Sequence, residues 1–108
     1  MLLNKGEYNN KMILSKQTFN AMIIPPKGFE KFGRSLGWDN YSTYSSDHGS
    51  LFHKTATFGH TGNTGPSILV DPTNNIAVIF LCHRVHPFNT GSLVDFGAKL
   101  ANIIGGGL

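Results

Sequence analysis

A single cysteine, Cys82, excludes an internal disulfide. Its place within an apolar run predicts a buried, unreactive thiol. No apolar stretch reaches the roughly 18 residues that a membrane-spanning helix needs. Charged residues make up only 14% of the chain, and the net charge is +3 with His neutral. The nine Lys and Arg residues are scattered, so no nucleic-acid partner is expected. Met1–Lys5 lacks an n-region and a long h-region, so it is not expected to be a signal peptide.

What is present is globular in character. Hydrophobic residues reach 40% and glycines number 13 in 108 residues. That length allows one domain, which buries roughly two-thirds of its unfolded surface. A small domain so short of surface charge has a face suited to something other than water.

The local signals run in order. Met1–Lys5 has an apolar pair and no cap, as in the last turn of a helix that begins elsewhere. Gly6 to Leu14 reads as a tight hairpin, because Asn9-Asn10 tolerates the positive φ of a two-residue turn. Ser15 is a good N-cap for a short helix from Lys16 to about Ile23, with Phe19, Met22 and Ile23 inward. Pro25-Pro26 ends it. Ser35–Asp39 is expected as a short strand with Leu36 and Trp38 on one face. Asn40–Ser50 reads as a polar surface loop, and Leu51–Thr57 is ambiguous.

Three strands are expected at about Ala56–Gly62, Ser67–Asp71 and Ile76–Val85. Asp71–Asn75 forms the turn between the last two. That turn is too short for a crossover, so the pairing is antiparallel. Ile76–Cys82 is apolar on both alternations, which predicts a strand inside a sheet with cover on both faces. Thr90 or Gly91 to Ile104 is helical, with Leu93, Phe96, Leu100 and Ile103 on one stripe and Val94, Ala101 and Ile104 beside it, and Gly105–Gly107 stops it. The fold class is therefore α+β: three antiparallel strands, a C-terminal helix and a short N-terminal helix. The helices are too few to cover both sheet faces, so a partner or a further part of the polypeptide is expected to do so.

Phe58-Gly59-His60-Thr61-Gly62, then a strand, Val70-Asp71-Pro72, an apolar strand and His83-Arg84-Val85-His86-Pro87, form an ordered series. Over nearly the whole chain it resembles the C-terminal end of the serine β-lactamase and penicillin-binding-protein-like hydrolases, most closely the class C β-lactamase, DD-peptidase and esterase branch. The resemblance implies residues 1–108 as a single incomplete domain, the C-terminal part of a β-lactamase/transpeptidase-like fold. It implies an acyl-serine intermediate, no cofactor or metal, and a β-lactam, peptide or small-ester substrate. The partner would be the N-terminal portion of the same fold or a complementing chain, and the location periplasmic or cell-surface.

The resemblance also assigns roles. The backbone N–H of Asn63 would be an oxyanion donor. His60 would supply a polar or cationic group, and Thr61 a hydroxyl for a substrate carboxylate or carbonyl. Gly62 would leave room for the substrate or the nucleophile helix. Gly59 and Gly65 would do the same for neighbouring elements. The family's Ser-x-x-Lys is absent from these 108 residues, so the chain alone is expected to be catalytically silent. Tyr8-Asn9-Asn10 fits Tyr-x-Asn, but it lies too close to His60 in sequence for the family's second motif. Cys82-His83 stands where relatives carry Ser or Thr then Asn, and Asn63 where many carry an aromatic.

Several residues have plainer readings. His83 and His86 alternate across an extended chain with no cysteine or carboxylate cluster beside them, which argues for loop anchoring rather than metal. Asp71 is expected to bond its own turn, and Arg84 to pair with the helix or its loop. Trp38 and Phe80 are expected in the core, and Tyr41 and Tyr44 in an exposed loop. The alternative to an enzyme segment is a non-catalytic remnant that completes a partner's sheet.

Overall fold

The computed structural model describes residues 1–42 and 47–108. Strands β1 (Glu7–Tyr8) and β2 (Lys11–Met12) form the expected hairpin, pairing Glu7 with Met12 and Tyr8 with Lys11. Asn9 and Asn10 take φ of 48° and 58°, the left-handed pair that such a turn demands. Before it, Lys5 N–H donates to the Leu2 carbonyl (3.2 Å) and Gly6 N–H to that of Met1 (3.1 Å). With Lys5 at φ 50°, this is the geometry of a Schellman helix stop. Helix α1 (Lys16–Ile23) begins at Ser15, whose Oγ accepts from the Thr18 N–H at 3.1 Å. It ends at Ile24 in extended backbone, as the following proline requires.

The main sheet holds β3 (Phe58–Thr61), β4 (Ser67–Asp71) and β5 (Ile76–Phe80), antiparallel in the order β3-β4-β5. The β4–β5 turn is held by Asp71, whose side chain accepts from the Thr73 and Asn74 N–H groups and from Asn74 Nδ2. Helix α2 (Val94–Gly105) follows. Strand alternation sorts the core into two clusters on opposite faces. Phe58 and Val70 pack with Phe19 of α1, while Leu69 packs with Phe52 and Ala101 of α2. Phe58 meets the rings of Trp38 and Phe19 edge-on, at centroid distances of 5.0 and 6.2 Å.

Four expectations are corrected. Residues 35–39 do not form a strand. Gly37 takes φ 79°, the chain folds back so that Ser35 N–H donates to the Trp38 carbonyl (3.0 Å), and Leu36 is left exposed while Trp38 turns inward. The stretch after Asn40 is no simple surface loop, because Ser42, Asp47 and His48 are buried.

Strand β5 ends at Phe80 and lies at a sheet edge, not inside it. Only one of its faces is covered: Val78 packs toward α2, whereas Ile79 and Leu81 are 63% and 81% exposed. Cys82 consequently falls beyond the strand and is half-buried.

Helix α2 buries the flank of the expected stripe, where Ala101 and Ile104 were placed, and not its centre. Gly97 and Ala101 face inward and Ile104 packs beside them, while Phe96 and Ile103 are exposed. Small residues win because they let the helix approach the loop closely. A Cβ on Gly97 would lie 3.1 Å from that of Asp47. Gly106 caps the helix in right-handed, not left-handed, backbone.

Candidate functional site

The stretch around His60 occupies the end of β3. The pairs Phe58–Val70 and His60–Ile68 place two side chains on the face shared with α1, and Gly59–Leu69 and Thr61–Ser67 place theirs toward α2. His60 and Thr61 therefore serve different spaces. Thr61, Gly62, Asn63, Ser67, Asp47 and Arg84 line a cavity of about 200 Å³ closed by the residues that lead into α2. His60, Pro66, Ile68, Ile79 and Leu81 line a recess of about 310 Å³ on the opposite face, which Thr61 and Gly62 also border. A third space, of about 490 Å³, continues along that face between the β1–β2 hairpin and Ile68, Ala77 and Ile79. Tyr8 and Asn9 border it.

The imidazole of His60 is half-buried, with Nδ1 2.7 Å from the Thr61 carbonyl oxygen. A carbonyl only accepts, so Nδ1 carries the proton and Nε2 of the neutral ring is an acceptor. Beyond Thr61 the strand becomes a turn. Gly62 N–H donates to the Pro66 carbonyl (2.7 Å) and Gly65 N–H to that of Gly62 (2.9 Å). Asn63 thus sits on the turn and not on the strand, exposed, and its N–H donates to no other group among the described residues.

Two glycines permit close approach here. A Cβ on Gly59 would lie 2.3 Å from the Ile68 carbonyl oxygen and 2.8 Å from His48 Nε2. One on Gly65, at φ 110°, would lie 2.7 Å from Leu93 Cδ1 and 2.9 Å from Cys82 Sγ.

The plainer readings fare unevenly. Arg84 holds its loop: its N–H donates to the Thr64 carbonyl (2.9 Å) and its guanidinium to Asn89 Oδ1 (2.8 Å). His83 and His86 are exposed, and among the described residues neither makes a hydrogen bond that would anchor the loop. Tyr41 is not exposed. Its hydroxyl donates to the Gly49 carbonyl, and burial pushes its pKa up. Tyr44 lies outside the described residues. The buried Asp47-His48 pair went unnoticed in the sequence because it sits in a polar, serine-rich stretch; nothing local marks it as interior. Among the described residues, no helix is long and apolar enough to cross a membrane.

No family model matches the chain. No solved structure matches it either. Curated proteins do. Over 87 residues it is 32% identical to a putative D-alanyl-D-alanine carboxypeptidase of Escherichia coli O157:H7, covering 79% of this chain and 19% of that protein. Over 87 residues it is 29% identical to an N-acetylmuramyl-L-alanine amidase of Bacillus subtilis (strain 168), covering 80% and 19%. Over 88 residues it is 32% identical to a putative D-alanyl-D-alanine carboxypeptidase of Salmonella gallinarum, covering 80% and 20%. The chain spans about a fifth of the length of the curated relatives it matches. At about 30% identity over most of its own length, it is homologous to a segment of hydrolases of the carboxypeptidase and amidase kind.

Proposed function

We propose that these 108 residues work as the C-terminal segment of one serine hydrolase domain, cleaving an amide or ester in β-lactams, peptidoglycan-like peptides or small esters. The observation that carries this reading is the homology, which spans most of the chain, including the His60-Thr61-Gly62 series at the end of β3. A serine Oγ from elsewhere in the domain attacks the substrate carbonyl. The tetrahedral oxyanion is met by the Asn63 N–H, the leaving amine or alcohol departs with a proton, and water releases the acyl group and restores the serine. His60 supplies a polar group from the recess, and Thr61 a hydroxyl from the cavity. Gly62, which borders both spaces, would leave room for the substrate or the nucleophile helix.

The nucleophile and its lysine belong to the N-terminal portion of the fold, on the same polypeptide or on a complementing chain. The open face around Ile68, Ala77 and Ile79 and the unpaired edge of β5 are the surfaces it would cover. Export to the periplasm or cell surface goes with this reading.

The test is a chimera in which this chain replaces the matched 87 residues of the Escherichia coli O157:H7 relative. Labelling by a fluorescent penicillin or fluorophosphonate, lost in His60→Ala, supports the proposal. A folded chimera that stays unlabelled counts against it. The edge of β5, unpaired among the described residues, favours one other reading, a non-catalytic binding or structural remnant of that fold that completes a partner's sheet. Stoichiometric binding by the inert, folded chain, without labelling, would select it.

A further inference from the structure

His48 is the one histidine wholly buried among the described residues, at 1% exposure. Neither ring nitrogen has a hydrogen-bond partner among those residues. Its Nε2 lies 3.8 Å from Asp47 Oδ1, beyond hydrogen-bond reach. Its ring stands edge-on to that of Tyr41, at 5.6 Å. Because a Cβ on Gly59 would approach Nε2 to 2.8 Å, the imidazole lies directly behind the β3 backbone, one residue before His60.

Asp39 faces the same space, but its carboxylate is committed. It accepts from Ser42 N–H (2.8 Å) and Ser42 Oγ (3.0 Å), with Arg34 3.7 Å away. The backbone of Asp39 meanwhile grips the outer edge of β3, exchanging hydrogen bonds of 2.8 and 2.9 Å with Gly59. Lys54 Nζ lies over the Tyr41 ring, 5.2 Å from its centroid. The space behind Gly59 is thus filled by an imidazole that, among the described residues, has no acceptor within hydrogen-bond reach for a second ring N–H.

We propose that His48 is a proton-sensitive latch on β3: neutral, it fills the space behind Gly59 and lets Asp39 hold the strand edge; protonated, it seeks water or a full carboxylate and frees that edge. It is a positioning residue, since it touches the strand and not a substrate. Burial pushes the imidazole below its ordinary value against the opposing pull of Asp47 and Asp39. The folded chain therefore binds this proton less readily than the unfolded chain does. The stability tied to neutral His48 is present above the usual histidine value of 6.5 and is lost as pH falls below it. The latch concerns the strand, so it stands or falls independently of any hydrolytic activity.

The experiment uses the full 108-residue chain, labelled with ¹⁵N, in a His60→Gln background so that the histidine of the strand itself is silent. The His48 ring protons and the exchange protection of the Asp39 and Gly59 amides are followed from about pH 7.5 to about 4.5. The expected result is a His48 midpoint below the ordinary value, with protection of both amides lost at that same midpoint while Leu69 and Val70 stay protected. In His48→Phe, which keeps a ring and removes the proton, the two amides become insensitive to pH. If that variant does not fold, the parent decides. An ordinary His48 midpoint, or protection that does not follow it, overturns the latch.

Discussion

Phe58 and Ile79 lie on the same face of the sheet, at its covered and open ends, so truncating each to alanine separates the two. Phe58 is 1% exposed and meets two aromatic edges. Phe58→Ala removes those contacts and leaves a cavity that α1 cannot easily collapse, a cost of about 4 kcal/mol. Ile79 would cost about 3 kcal/mol if fully enclosed. Since 63% of the residue is already in water, roughly a third of that, about 1 kcal/mol, should be lost in this chain. A chain of this size is stabilised by about 5–15 kcal/mol, so the first change is severe and the second mild. Trp38, the sole tryptophan, packs on Phe58 and reports unfolding by its emission. With a urea dependence of about 1.5 kcal/mol per molar, the midpoints of the two variants should differ by about 2 M. Equal midpoints would refute the uneven cover of that face, and with it the reasoning that the open end awaits another part of the domain.

Three further outcomes are expected. Ser15→Ala removes the acceptor for the Thr18 N–H and should cost about 1 kcal/mol, measured by urea denaturation. Gly59→Ala forces a Cβ against the Ile68 carbonyl and the His48 ring. It should cost about 3 kcal/mol and weaken β3–β4 amide protection in hydrogen exchange. In the chimera, His60→Ala should slow acylation about a hundredfold or more, with unchanged circular dichroism, because its ring borders the recess beside the open face. Unchanged labelling rates would remove His60 from the site.

What the sequence made legible was local. Asn9-Asn10, Ser15 and Asp71 act within a few residues of themselves, and each does what its side chain and backbone preferences dictate. The three-stranded sheet followed from the same logic, since a short Asp-Pro turn leaves only antiparallel pairing. What stayed hidden depends on distant partners. Helix α2 carries two apolar stripes, and its own periodicity cannot choose between them. The choice falls to the loop around Asp47, which fits against Gly97 and not against a bulkier residue. The Ser35–Asp39 stretch failed because one backbone angle at Gly37 outweighs an alternation of apolar side chains. For the site, the series around His60 was visible as a pattern. Its division between two faces required the register with β4, and the turn at Asn63 required the hydrogen bonds of Gly62 and Gly65.

Among the described residues, the two clusters of buried side chains meet in only one element. Val70 belongs to one and Leu69 to the other, so neighbouring residues of β4 carry both. Cooperativity between the helices then passes along a single peptide unit. Loss of α2 should leave the aromatic cluster around Phe19 formed, and loss of α1 should leave Phe52 and Ala101 in place. The amides of Leu69 and Val70 can open only when both halves have come apart, and they should be the last in the chain to exchange with solvent.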